Sequence, residues 1–191
     1  MSDAATGATP VTVGIVAGEA SGDALAATLI RAVRARHPHV RFAGIAGPRM
    51  EAAGCAAWFP LEKLAVRGFV EVVAHLPELF RIRSELSRRL VAERVPVFVG
   101  VDAPDFNLGL ERRLKHTGVR TIHFVSPSVW AWRRERLRTI GRSVDRMLAL
   151  FPFEPPLYEE AGIPVTYVGH PLAQEAATHA TRRETRDLLQ L

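Results

Sequence analysis

Cysteine and lysine are almost missing from this sequence. Cys55 is the one thiol in 191 residues, which excludes intrachain disulfides, thiolate-built zinc centres and paired redox motifs. Lys63 and Lys115 are the only lysines among 25 basic residues, so the net charge of +5 rests on arginine. The guanidinium group delocalises its charge and pairs in a two-pronged way with phosphate. A phosphorylated small molecule, an acidic lipid surface or nucleic acid would each suit such a surface. Aromatic residues make up 7% of the chain and are not interleaved with the basic ones; with no recognised binding motif either, nucleic acid is not expected as a partner. No apolar run approaches the roughly 20 residues that cross a bilayer. The first eight residues lack a charged segment followed by an apolar one, so no secretory signal is expected and the cytosol is the expected compartment. The glycines, finally, are arranged neither as a phosphate-binding Gly-Lys-Ser/Thr loop nor as the dinucleotide fingerprint. No nucleoside triphosphate, NAD, other cofactor or metal is expected.

With 48% hydrophobic and 24% charged residues, the composition is that of a globular protein. The length suits one well-buried α/β domain with at most a tail. Apolar, β-branched runs of strand length recur at 11–17, 40–45, 97–101, 119–125, 147–150 and 165–168. Helical patterns fall between them at 23–36, 77–94, 107–117 and 129–138. Fully apolar strands alternating with helices predict an α/β fold, a doubly wound Rossmann-like parallel sheet covered on both faces. Residues 1–10 are expected to be a disordered N-terminus and 11–173 the Rossmann-like domain. After Gly169-His170-Pro171 the chain turns polar and alanine-rich, so 174–191 reads as a linker into a further domain and the sequence as a fragment.

Three strand ends carry the polar residues. The run 11–17 enters Gly18-Glu19-Ala20-Ser21-Gly22-Asp23 and then a helix. Ligands of open α/β sheets sit beyond the carboxyl ends of the strands, near helix N-termini, which would set Glu19, Ser21 and Asp23 toward a crevice, unless Ser21 or Asp23 caps the helix. The run 97–101 delivers Asp102-Ala103-Pro104-Asp105-Phe106-Asn107. Two carboxylates around a rigid turn suit general-base chemistry, since partial burial raises a carboxylate pKa toward a useful value. Asp105 is the better placed of the two to cap the next helix, which leaves Asp102 the freer base. The run 119–125 ends in Ser126-Pro127-Ser128-Val129-Trp130-Ala131-Trp132-Arg133. Indole rings stack on sugars and arginine forks onto phosphate; equally, the tryptophans are core and the arginines a solvated face. His123, with no second ligand at metal spacing, reads as a structural histidine. Residues 61–94 interleave many apolar side chains with six arginines. They form either a basic amphipathic surface for an anionic membrane or an acylated ligand, or two core helices with snorkelling arginines.

These motifs occur together in one order. Residues 17–23, Gly47-Pro48-Arg49-Met50, 102–107, 125–133, Phe151-Pro152-Phe153-Glu154 and Val168-Gly169-His170-Pro171-Leu172-Ala173 resemble the lipid-A-disaccharide synthase family from Val11 to Ala173. Ala26 stands where a glycine is common, and Arg67 where methionine is usual. The resemblance covers only the amino-terminal half of the family, the N-terminal domain of a GT-B glycosyltransferase whose carboxyl-terminal domain, missing here, mostly holds the nucleotide. It implies an inverting, metal-independent hexosyltransferase. Such an enzyme transfers diacylglucosamine from UDP-diacylglucosamine to diacylglucosamine 1-phosphate, works at the inner face of the cytoplasmic membrane, and belongs to lipid A biosynthesis. Asp102 would then be the base and Glu19 the second choice. Ser21, Gly22, Asp105, Asn107, Ser126, Ser128, Trp130 and Arg133 would bind substrate. The alternatives are a non-catalytic lipid- or partner-binding module, based on the absent nucleotide domain, and a related sugar-nucleotide enzyme such as an epimerase, which lacks the signatures at 102–105 and 130–133.

Overall fold

A computed structural model describes residues 10–64, 69–128, 135–171, 173 and 186, and for residues 69–75 the backbone alone. The elements follow as β1 (Val11–Ala17), α1 (Ala20–Arg36), β2 (Val40–Ala46), α2 (Pro48–Ala52), β3 (Cys55–Pro60), a 3-10 turn (Leu61–Lys63), α3 (Phe69–Ala92), β4 (Val97–Val101), α4 (Pro104–Lys115), β5 (Arg120–Phe124), α5 (Arg136–Ser143), β6 (Arg146–Ala149), α6 (Pro155–Glu160) and β7 (Val165–Tyr167). The strands lie in the order β3-β2-β1-β4-β5-β6-β7, and every neighbouring pair is parallel. This is the expected doubly wound sheet.

The period of two along each strand divides the core. Ile15 and Ala17 of β1, with Val99 and Val101 of β4, pack on Ala26, Ala27 and Ile30 of α1 and Met50 of α2. Val16 and Phe98 face the other way, onto Ile82, Leu86 and Leu90 of α3 and Leu110 and Leu114 of α4. Alternate side chains point to opposite faces of a strand, so strands this apolar must be covered on both. Each fully buried Leu or Ile contributes about 1.5–3 kcal/mol. A third cluster, of Ile140, Met147, Tyr158 and Ile163, closes the far end.

Several boundaries differ from the pattern. The small-residue edge strand β3 has no run of β-branched residues to announce it, and α2 and α6 are too short to show a period. Helix α3 begins at Phe69, not at 77: Pro77 lies inside it, where the ring removes one hydrogen bond without ending the helix. Helix α4 begins at Pro104, because proline is pre-shaped for a first turn. Of the expected helix at 129–138, residues 129–134 lie outside the described residues, as do 1–9 and most of 174–191.

The segment 61–94 is one 3-10 turn and one long helix rather than two helices. Its described side chains split into two stripes. Ile82, Leu86 and Leu90, spaced by four, are buried, whereas Leu76, Phe80 and Val91 are exposed. Phe80 and Val91 are eleven residues apart, close to three helical turns, and so share a face.

The chain builds outward in one direction through β2 and β3, then returns to place β4 beside β1 and continues the other way. In open α/β sheets the crevice at this reversal is where ligands bind.

Candidate functional site

At that reversal the loops after β1 and β4 touch. Gly18 has no side chain because Ala103 occupies the space: a Cβ there would collide with the Ala103 methyl. Glu19 sits at the start of α1, exposed, and accepts a hydrogen bond from the Ser21 hydroxyl. Gly22 is buried behind them, where a Cβ would lie 3.5 Å from the Val101 carbonyl oxygen.

Asp23 does not face the crevice. It is 3% exposed, and its carboxylate accepts the backbone N–H groups of Gly47 (3.2 Å), Arg49 (3.0 Å) and Met50 (3.0 Å). It thereby caps α2, not its own helix. The first turn of α2 has no side-chain cap of its own, and orphan N–H groups there need an acceptor. The neighbouring strand's loop supplies it.

Asp102 is held differently. Its φ is +53° and that of Ala103 is +44°, so two consecutive non-glycine residues occupy the left-handed region, at a cost of order 1–3 kcal/mol each. Hydrogen bonds impose the kink. The Asp102 N–H donates to Phe124 O on β5 (2.8 Å), and the N–H groups of Phe106 and Asn107 both donate to Ala103 O (3.0 Å). The Asn107 side-chain amide donates to Asp102 O at 2.8 Å. The Asp102 carboxyl is half-buried. Burial pushes it above the ordinary carboxylate range; the Ala103 N–H opposes this, the negative Glu19 adds to it, and His123 opposes it. Two carboxylates of different exposure thus sit at one crevice. Asp105, expected as a cap, lies inside the first turn of α4, exposed, and pairs with Arg136 at 3.3 Å.

Behind Asp102 lies a buried polar cluster. Asn107, Glu111 and His123 are fully buried, and His123 Nδ1 lies 2.7 Å from Glu111 Oε1. Burial pushes the Glu111 carboxyl up while His123 holds it down. Gly100 makes room for it, since a Cβ there would collide with the Glu111 carboxylate and reach 2.9 Å from Asn107 Cβ. Asn107 Oδ1, Glu111 Oε2 and His123 Nε2 have no hydrogen-bond partner among the described residues. His123 is buried against Glu111 with one ring nitrogen paired and the other not, and Asn107 holds the Asp102 backbone from below rather than facing the crevice. The Glu111 partner went unforeseen, although Asn107 and Glu111 at i and i+4 on a helix's buried face are the signal for such a cluster.

On the next strand end, Val125 also has a positive φ, +80°. The Ser126 hydroxyl lies 2.6 Å from Tyr158 Oη and donates to Pro127 O at 3.0 Å. Burial pushes the Tyr158 phenol up to about 12, so it stays protonated at neutral pH. Ser128 is exposed beside it. Trp130 and Arg133, with Trp132, lie outside the described residues. On the other flank a cavity of about 300 Å³ opens between α3 and the touching loops, walled by Gly18, Leu76, Leu79, Phe80, Ala103 and Phe106.

The family model described as lipid-A-disaccharide synthetase matches residues 13–191. The lipid-A-disaccharide synthase of Chromobacterium violaceum is 60% identical over 179 residues, 94% of this chain and 46% of the relative. That of Methylobacillus flagellatus is 53% identical over 180 residues, 94% and 48% of the two chains.

The chain belongs to the lipid-A-disaccharide synthase family.

It spans about half the length of the curated relatives it matches. Among solved structures it is similar to the UDP-GlcNAc 2-epimerase of Neisseria meningitidis bound to UDP-GlcNAc, with a TM-score of 0.56 at 10% identity over 92% of this chain and 52% of that one. TcCGT1 in complex with UDP gives a TM-score of 0.56 at 12% identity over 96% and 55%. At such identities the likeness is one of fold, the Rossmann-like half of a GT-B architecture.

Proposed function

We propose that the crevice between the β1–α1 and β4–α4 loops binds the acceptor of a sugar transfer and that Asp102 is the general base. What carries this reading is a half-buried carboxylate on strained backbone at the switch point of the sheet, in a chain of this family. The reaction passes diacylglucosamine from UDP-diacylglucosamine to diacylglucosamine 1-phosphate. Asp102 takes the proton of the attacking acceptor hydroxyl, and the oxygen bonds to the anomeric carbon on the face opposite UDP. The bond from that carbon to the diphosphate oxygen breaks, its electron pair leaves with UDP, and the configuration inverts. A raised pKa suits the role, because a base works best when its pKa approaches the working pH.

Glu19 is the second candidate for the base and, beside Asp102, keeps that carboxyl basic. Ser21, Ser128, Trp130 and Arg133 supply sugar and phosphate contacts. The apolar cavity takes an acyl chain of the acceptor. The exposed stripe Leu76, Phe80 and Val91, flanked by exposed Arg81 and Arg88, lies on the anionic inner face of the cytoplasmic membrane. Among the described residues no helix is long and apolar enough to cross a membrane. Donor UDP is held by a second domain, so residues 1–191 alone bind acceptor and release no UDP.

The test is UDP release. The full-length protein containing residues 1–191 should release UDP from UDP-diacylglucosamine only when diacylglucosamine 1-phosphate is added, and residues 1–191 alone should release none. Acceptor-independent turnover of the donor would indicate an epimerase-like enzyme, and lipid binding without turnover a non-catalytic module. Robust transfer by residues 1–191 alone would move donor binding into this domain.

A further inference from the structure

A further cation stands beside this crevice. Arg83 lies on α3, half-buried, on the wall of the apolar cavity. Its Cζ stands 4.8 Å from the centre of the Phe80 ring and 6.0 Å from that of Phe106. Helix α4 passes against it at a glycine: a Cβ on Gly109 would come 2.5 Å from Nη1. No carboxylate pairs with Arg83 among the described residues. Asp105, on the same cavity wall, is paired with Arg136, and Glu78, five residues earlier on α3, with Lys63. Burial, and then the like charge of Arg113, lower its pKa. A guanidinium remains protonated all the same. A cation partly withdrawn from water beside an apolar wall gains from an anionic partner.

We propose that Arg83 and this cavity form one site for a single phosphorylated amphiphile, with its phosphate on the guanidinium and its acyl chain against Leu76, Leu79 and Phe106. This rests on the acceptor reading above and deepens it: the anion is the anomeric phosphate of diacylglucosamine 1-phosphate, taken up as one molecule. Gly18 and Ala103 are shared between the cavity and the Asp102 loop. A sugar between an Arg83-bound phosphate and an acyl chain in the cavity would therefore lie at the base. Aromatic stacking fixes the plane of the guanidinium and lowers the entropy lost when its fork engages two phosphate oxygens. Arg83 is thus a specificity residue, telling a phosphorylated acceptor from an uncharged one.

Residues 1–191 can be titrated calorimetrically with decyl phosphate and decyl glucoside, each below its micelle concentration. The parent should prefer decyl phosphate by about tenfold or more, the worth of a hydrogen-bonded charge pair. Arg83→Gln should abolish that preference while leaving decyl glucoside binding unchanged, and Arg113→Gln should leave both as they are. An unchanged preference in Arg83→Gln, or an equal loss in Arg113→Gln, would overturn the site in favour of a diffuse basic surface. Arg83→Lys guards against misfolding of the glutamine variant, since it keeps the charge but not the fork; it should lose part of the phosphate preference, and a full preference would place the contact elsewhere. Vesicles containing phosphatidylglycerol separate the bilayer from the single molecule. Loss of vesicle binding without loss of decyl phosphate preference would make Arg83 a membrane contact and overturn the proposal. Transfer is tested apart from this. If Arg83 governs binding but full-length Asp102→Asn still turns over, the catalytic reading falls alone; if Asp102 governs turnover but Arg83 does not govern binding, this site falls alone.

Discussion

Asp23, in the first turn of α1, and Asp102, in the loop after β4, stand at the same edge of the sheet and have opposite fates. Asp23 is buried with three backbone N–H groups on its carboxylate; every charge-stabilising contact it needs is made within the protein. Asp102 sits on a backbone in the left-handed region, half-buried, with its carboxyl driven up by burial and by Glu19. The first has its carboxylate hydrogen-bonded inside the protein; the surroundings of the second resist its charge. The same residue type is therefore a helix cap in one place and a half-buried carboxyl facing a crevice in the other, separated by burial, backbone and hydrogen-bond partners.

Removing the first carboxylate should cost stability. Asp23→Ala leaves three N–H groups of the α2 terminus without an acceptor. Hydrogen bonds to charged groups contribute about 1.5–3 kcal/mol each but share desolvation, so a loss of about 3 kcal/mol is expected, roughly 10 °C in Tm for a domain of this size. Thermal denaturation checks it. Asp102→Asn should not lower the Tm, because a carboxyl whose folded pKa is raised stabilises only below its unfolded pKa and loses that contribution as pH rises through the folded value. At neutral pH the amide is neutral or stabilising. A Tm loss at Asp102 equal to that at Asp23 would erase the distinction between them.

A second contrast lies along α3. Phe80→Ser with Val91→Ser removes two exposed apolar side chains and leaves the buried stripe intact. Cosedimentation with anionic vesicles should weaken by about an order of magnitude, and parent binding should fall with salt, since each basic residue near the surface contributes about 1 kcal/mol. Salt-independent cosedimentation would count against the membrane face. Smaller still is the backbone strain. Ala103→Gly should raise stability by about 0.5–1 kcal/mol, because glycine adopts a positive φ without the Cβ penalty; chemical denaturation reads it directly. Smallest is the field of Glu19. Glu19→Gln removes a negative charge that raises the Asp102 pKa, so the acidic limb of kcat/KM for the full-length protein should move to lower pH. A shift to higher pH would mean that the limb belongs to another group.

Much of this was legible in the chain. Apolar runs of strand length gave the sheet, since strands buried on both faces have no other pattern open to them. The polar breaks at 18–23 and 102–107 marked the crevice, because a strand end is where a buried run must turn polar. Asp23 misled because its partners are backbone groups 24 to 27 residues away, and a residue's own neighbourhood says nothing of them. Glu111 and His123, twelve residues apart on a helix and a strand, become a pair only once α4 packs on β5. Arg83 is one of six arginines that pattern reads alike, as a basic face or as snorkelling side chains; only the packing of Phe80, Phe106 and Gly109 around it sets it apart. Local pattern reports which face is apolar; it does not report which charge is left without a partner.

The central claim is that Asp102 is the base, and its amide variant tests it most directly. In the full-length protein, Asp102→Asn keeps the shape of the loop and removes the proton acceptor. The account predicts that kcat for acceptor-dependent UDP release falls by about 10²–10⁴-fold, the usual worth of general-base catalysis, with the acceptor KM and the Tm little changed. Turnover near that of the parent would contradict it and pass the role to Glu19.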